Sequence, residues 1–186
     1  MQQMKVEEFI SKLLKIEKQP TLYKLGCFGN KKSKGFYLWD CSGLIKGVLW
    51  GYPENGKYRS NGVPDFNANT LIKYCTNVTT DLNKIKKGYM LHMDGHCGIY
   101  IGDLKVVEST PKWENGVQIS RLNQRKWERC GALPYIDYGV SREDRPTELN
   151  EAFEIIANYV KKGYFGNGHE NRKEAIYKLV KEEVNK

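Results

Sequence analysis

Nowhere do the 186 residues approach the ~18 consecutive apolar residues that a membrane-spanning helix needs. The longest apolar stretches, such as Leu44-Ile45 and Val48-Leu49-Trp50, are broken within a few residues. The opening, Met1-Gln2-Gln3-Met4-Lys5 followed by Glu7 and Glu8, holds no apolar h-region and no small-residue cleavage site. No secretory signal peptide is therefore expected. Cysteine is present without a pairing pattern. Cys27, Cys41, Cys75, Cys97 and Cys130 are odd in number, and no two form a C-x-x-C pair. That argues against a disulfide framework and removes a zinc ribbon or a thioredoxin motif. The thiols are expected to be reduced, most of them buried as small apolar groups. Histidine is scarcer still, with only His92, His96 and His169.

What is present is globular. Hydrophobic residues make up 40% and charged residues 28%, too apolar for a disordered chain and too charged for a membrane protein. The length suits one ordinary domain and a small appendage. The formal net charge is +8. From Thr147 to Lys186 seven basic residues balance seven acidic ones, so the whole surplus sits in residues 1–146. A basic body implies a polyanionic partner: nucleic acid, acidic lipid or an anionic polymer.

Val6, Phe9, Ile10, Leu13 and Leu14 have helical spacing, which predicts an amphipathic helix over 3–18, stopped by Pro20. Residues 21–35, with Gly26, Gly29, Asn30, Ser33 and Gly35, read as a loop. A second helix is expected from about Cys41, with Leu44, Ile45, Val48 and Leu49 as its stripe. Residues 51–69 are rich in turn formers, and Leu71 to Cys75 read as a short helix. Strands are expected at Tyr89–Met93, Cys97–Ile101, Lys105–Ser109 and Val117–Ser120, with a last one over Ala132–Tyr138. Residues 1–140 therefore form one domain. The polar run 141–147 reads as a linker, and 148–186 as a small unit of two helices around Gly166-Asn167-Gly168.

The strongest chemical signal is Asp40-Cys41-Ser42-Gly43. A cysteine at a helix start is favoured as the thiolate, and first-turn N–H groups can hold an oxyanion. On the cysteine alone, a buried inert thiol is the commoner outcome. A thiolate nucleophile needs a base, and His96 in Gly95-His96-Cys97-Gly98 is the best available. His92 lies inside a strand-like piece and reads as structural. A metal pair with His96 would need a helix, which Met93-Asp94-Gly95 does not continue. A third residue should orient the imidazole, and Glu108 is the candidate. A two-residue turn at Asp103-Leu104, however, would set Glu108 opposite Ile99, on the face away from His96. Glu108 reaches His96 only if a bulge or an odd-length loop shifts the register. Otherwise Ser109 competes.

Together these residues resemble the papain-like NlpC family of cell-wall cysteine peptidases, related to the CHAP amidases. The resemblance runs through Tyr23-Lys24-Leu25-Gly26-Cys27, Asp40-Cys41-Ser42-Gly43 and Gly95-His96-Cys97-Gly98-Ile99-Tyr100-Ile101-Gly102 to Glu108, and covers roughly 20–138. Cys27 replaces a family glycine, Glu108 stands where His, Asn or Gln is common, and 51–69 is an insert. The stretch Glu108-Ser109-Thr110-Pro111-Lys112-Trp113 looks like lysins of phages that infect Gram-positive hosts. The resemblance implies an α+β fold in which a nucleophile helix packs on an antiparallel sheet. It implies Cys41 as nucleophile, His96 as base and Glu108 as orienting residue, with Tyr23, Asp40, Ser42 and Trp113 at the substrate site, and neither metal nor cofactor. The tail from Tyr164 to Lys173 is similar to the Cpl-seven-type wall-binding repeat, which implies that Gly166, Asn167, Gly168 and Arg172 contact the wall.

The expected activity is hydrolysis of an amide in wall peptide by a Cys-His-Glu mechanism, as an endopeptidase. An N-acetylmuramoyl-L-alanine amidase with the same site is the alternative. The expected partners are Gram-positive peptidoglycan and anionic wall polymers, with no membrane span. The enzyme is expected to be made in the host cytoplasm and to reach the wall at lysis. The rival class is a nucleic-acid-binding protein, on the strength of the basic body with Tyr37, Trp39, Tyr58 and Arg59, although no recognised nucleic-acid motif accompanies them.

Overall fold

The computed structural model describes residues 3–51 and 60–139. The chain divides into two units, Met1–Asp137 and Tyr138–Lys186. The linker, the expected helices of the tail and Gly166, Asn167, Gly168 and Arg172 lie outside the described residues, as does part of the 51–69 insert.

A short strand β1 (Met4–Lys5) leads into α1 (Val6–Glu17), which buries Phe9, Ile10, Leu13 and Ile16 on one stripe. The expected loop over 21–35 is instead mostly strand. β2 (Thr21–Tyr23), β3 (Phe28–Ser33) and β4 (Phe36–Trp39) form a small sheet in the order β2-β4-β3. The glycines that suggested a loop serve its turns, Gly26 and Gly35 at φ 75° and 88°. Then comes α2 (Cys41–Leu49), with all nine residues buried. Even Lys46 is 7% exposed, its ammonium paired with Asp65. α3 (Ala68–Tyr74) is the short helix, capped by Asn67.

The main sheet follows: β5 (Thr76–Thr79), β6 (Met90–Met93), β7 (His96–Gly102), β8 (Lys105–Thr110), β9 (Gly116–Arg121) and β10 (Arg129–Ala132). Its order is β5-β10-β6-β7-β8-β9, antiparallel throughout. Of the last strand expected over Ala132–Tyr138 only β11 (Ile136–Asp137) forms, paired with β1, while β10 ends at Ala132 and lies almost wholly before it. Turn geometry at Pro134-Tyr135 separates them. β5, flanked by Cys75 and polar residues, carried no alternation and was missed.

This is the α+β arrangement expected, a buried helix packed on an antiparallel sheet. α2 lies against β7 and β8, and α3 against β6. Gly47 lets the small sheet approach from the other side, since a Cβ there would come within 2.7 Å of the Phe28 carbonyl oxygen. Among the described residues no helix is long and apolar enough to cross a membrane.

Candidate active site

The start of α2 is built around Asp40. As N-cap it accepts from the Gly43 N–H at 2.5 Å and from the Ser42 hydroxyl at 3.1 Å through Oδ1. Through Oδ2 it accepts from the Gly26 N–H at 2.7 Å, tying the 24–27 turn to the helix. Gly43 is required by space: a Cβ would overlap the Cys27 carbonyl oxygen. Asp40 and Ser42, expected to line the substrate site, are each 5% exposed and spend their polar atoms on this cap. They set the position of Cys41 from beneath.

His96 begins β7, after a two-residue turn, Asp94-Gly95, whose glycine has φ 71°. Asn69, from the second position of α3, pins that turn. Its Oδ1 accepts from the Gly95 N–H at 2.9 Å, and its amide donates to Asp94 Oδ1 at 2.8 Å. His92 Nε2 lies 2.9 Å from the same Asn69 oxygen. Burial, then the charge of Arg129, lowers the His92 pKa, so this ring is a neutral donor in the support of the turn. His92 pairs with Cys97 across the ladder, whereas His96 pairs with Met93, so the two imidazoles stand on opposite faces of the sheet.

The register question has a clear answer. Gly102 pairs with Lys105 around an Asp103-Leu104 turn in which both residues have positive φ, 50° and 56°. Between Gly102 and Tyr100 the register shifts, leaving Ile101 without an opposite number. Tyr100 then faces Val106, and Ile99 faces Val107. One step on, Glu108 lies across from Gly98, where a Cβ would sit 3.3 Å from the Glu108 Cβ. Glu108 therefore shares a face with His96, and His96 Nε2 bonds Glu108 Oε2 at 2.6 Å. Ser109, the competitor, points to the α2 side and donates to the Trp39 carbonyl at 3.1 Å.

Glu108 is fully buried, and its carboxylate oxygens meet polar partners. Its Oε1 accepts from the Ser120 hydroxyl, and its Oε2 also accepts from Arg125 Nε at 2.6 Å. Burial alone would raise its pKa. The hydrogen bonds from His96 and Ser120 and the charge of Arg125 win, and the carboxyl lies below its ordinary range. For His96, burial pulls the pKa down, but hydrogen bonds to Cys41 and Glu108 more than offset it, so the net shift is upward.

Cys41 is 6% exposed, with its sulfur 4.0 Å from the Gly95 carbonyl oxygen. Its pKa is lowered to about 4. The largest cause is a hydrogen bond from the Cys97 thiol; burial opposes it, and the hydrogen bond and charge of His96 add to it. The Cys97 pKa moves the other way, well up, so Cys97 stays a thiol and donates. With Nε2 of His96 committed to Glu108, Nδ1 is the nitrogen left for the Cys41 sulfur. The two shifts, Cys41 down and His96 up, both favour the form of the pair in which a thiolate faces an imidazolium.

Tyr23 looks onto this pair. Burial, then the charges of Cys41 and Asp40, raise its pKa. Trp113 is 47% exposed on the β8–β9 loop, at φ 61°. That loop closes around one side chain: the Gln118 amide nitrogen reaches the carbonyls of Thr110, Lys112, Glu114 and Gly116. The structure thus brings Cys41, His96, Glu108, Tyr23, Asp40 and Ser42 together. Sequence reasoning missed Cys97, Ser120, Arg125 and Trp127. The Trp127 ring stacks on His96 at 5.7 Å and 17°. Ser120 alternates with Gln118 along β9, a signal usable only once Glu108 was placed on the shared face. Arg125 and Trp127 lie in an irregular segment with no such signal. Among the described residues no group of three potential ligands gathers for a metal.

Among solved structures, the chain is similar to the P60 domain of an M. avium paratuberculosis antigen, with 15% identity, 69% of this chain, 92% of that one and a TM-score of 0.48. It is also similar to the NlpC/p60 domain of the peptidoglycan hydrolase SagA, with 16% identity, 70% and 100% coverage and a TM-score of 0.46. The peptidoglycan hydrolase RipB from Mycobacterium tuberculosis gives 18% identity, 72% and 65% coverage and a TM-score of 0.49. No curated protein matches the chain. The sequence pattern of the NlpC/P60 family matches residues 21–132, more than half of the chain. The chain belongs to the NlpC/P60 family, whose members are cysteine peptidoglycan hydrolases.

Proposed function

We propose that the protein is an endopeptidase of wall peptide, of the kind phages use to lyse Gram-positive hosts. The observation that supports it most is the low-pKa Cys41 at the capped start of α2, facing an imidazole bonded to Glu108 at 2.6 Å. The Cys41 thiolate attacks the carbonyl carbon of an amide. Asp40 already occupies the N–H groups of Gly43 and Leu44, so those of Cys41 and Ser42 are the donors for the oxyanion. His96 passes its proton to the leaving amine, and a thioester remains. Water then adds with its proton taken by His96, and the carboxylate leaves as the thiolate returns. Tyr23 and Trp113 line the approach.

Residues 148–186, with Gly166, Asn167, Gly168 and Arg172, hold the enzyme on its polymer and raise its local concentration. The positive surplus of residues 1–146 adds attraction to anionic wall polymers, so lysis weakens as salt rises. The protein is made in the host cytoplasm and reaches the wall at lysis.

Mass spectrometry of purified walls after digestion tests the reading. New amino termini within the stem or cross-bridge are expected. Release of intact stem peptides from muramic acid would make it an amidase instead. Full activity of Cys41→Ala would sink both.

A further inference from the structure

Arg125 does more than fill space behind the site. Its Nε lies 2.6 Å from Glu108 Oε2, the same oxygen that His96 Nε2 approaches at 2.6 Å. Its Nη2 donates to Thr110 Oγ1 at 2.8 Å. The side chain is 10% exposed, and its guanidinium lies over two indoles, 4.8 Å from the Trp113 ring and 6.0 Å from that of Trp127. A planar, permanently charged group is thus fixed in one orientation against a fully buried carboxylate. That carboxylate serves two cations at one atom.

We propose that Arg125 is a positioning residue that neutralises Glu108, so that the pair orients His96 without presenting it a full negative charge. The proposal rests on the reading of Cys41 and His96 as the hydrolytic pair. A lone buried carboxylate would hold the imidazolium so firmly that its proton would be slow to reach the leaving amine. Sharing the same oxygen with Arg125 keeps the hydrogen bond and its direction while weakening that hold. Other charged groups do not substitute for it. The imidazole faces Cys41 from α2 and Glu108 from β8. Cys97 on its own strand and Tyr23 and Asp40 act on the sulfur side. Among the described residues, Arg125 is the cation besides His96 whose charge lowers the Glu108 pKa.

The experiment is a double-variant cycle on the full chain. It is read by NMR titration of His96, one of three histidines, and by the pH profile of wall hydrolysis. Arg125→Gln should move the His96 titration up by about one pH unit, with the alkaline limb of activity moving alongside. Glu108→Gln, which leaves the guanidinium unbalanced, should move it down by a similar amount. The double variant should return close to the starting value and exceed Glu108→Gln in kcat. Arg125→Lys, which keeps the charge, should titrate nearer the unsubstituted protein than Arg125→Gln does. If Arg125→Gln does not fold, Glu108→Gln against the double variant and Arg125→Lys carries the same comparison. A double variant titrating with Glu108→Gln, or an Arg125→Gln titration that does not move, would overturn the proposal. The NMR readout needs no substrate. Absence of wall hydrolysis in the unsubstituted protein would therefore strike the hydrolase reading and leave this result standing.

Discussion

Glu108 bonds His96 because Ile101, five residues along β7 from the histidine, has no opposite number in the hairpin with β8. Without that bulge, the turn at Asp103-Leu104 would put Glu108 and Ser109 on exchanged faces. Deleting Ile101 makes the hairpin regular yet leaves Glu108 across from Gly98. Deleting Val106 with the bulge at Ile101 kept sets Glu108 opposite Ile99, on the α2 face. The first deletion is expected to keep wall hydrolysis, and the second to lose about a hundredfold or more. Equal activities would show that register is not what joins the two side chains.

Activity should have two pH limits, both set by the Cys41–His96 pair. The Cys41 pKa is lowered to about 4, so the thiolate exists above that value and is lost as pH falls through it. The His96 pKa is raised, so its cation survives past the usual imidazole range and is lost as pH rises through the folded value. A profile of kcat/KM on a soluble muropeptide is expected to be bell-shaped, with a broad plateau between those limits. A single limb centred on the ordinary thiol range would contradict the ion pair.

Cys97 is expected to matter although it never meets substrate. It is fully buried, and its thiol makes the largest contribution to the low Cys41 pKa. Cys97→Ala should move the iodoacetamide reactivity of Cys41 to higher pH by about one unit, while Cys97→Ser, which keeps a donor, moves it less. Alkylation rates across pH check this directly.

Gly43→Ala should cost stability and activity together. Its Cβ would displace the Cys27 carbonyl and so disturb the Asp40 cap that seats Cys41. A loss of about 1–3 kcal/mol in urea unfolding is expected. Asp40→Ala should lose about 1 kcal/mol from the cap alone. An unchanged urea midpoint in Gly43→Ala would refute the close approach.

Much of this was legible from residue patterns. The spacing of Leu44, Ile45, Val48 and Leu49 marked α2, and Asp40 before Cys41 marked its start. The alternation around Ile99 and Val107 marked the hairpin. The small sheet was not legible, because Gly26, Gly29 and Gly35 look like a loop when their turns are not separated from the strands between them. Nor was the bulge, since nothing in Tyr100-Ile101-Gly102 distinguishes an unpaired residue from a paired one. Arg125 and Trp127 belong to the site through tertiary packing alone, and irregular backbone leaves no period to read.

The way Gln118 gathers the carbonyls of the β8–β9 loop has a consequence for recognition. A loop already folded around its own internal amide presents the Trp113 ring before any ligand arrives. Little conformational freedom remains for this loop to surrender to any ligand that meets that indole. This edge therefore behaves as a fixed jaw, and any adaptation at that contact falls to the ligand.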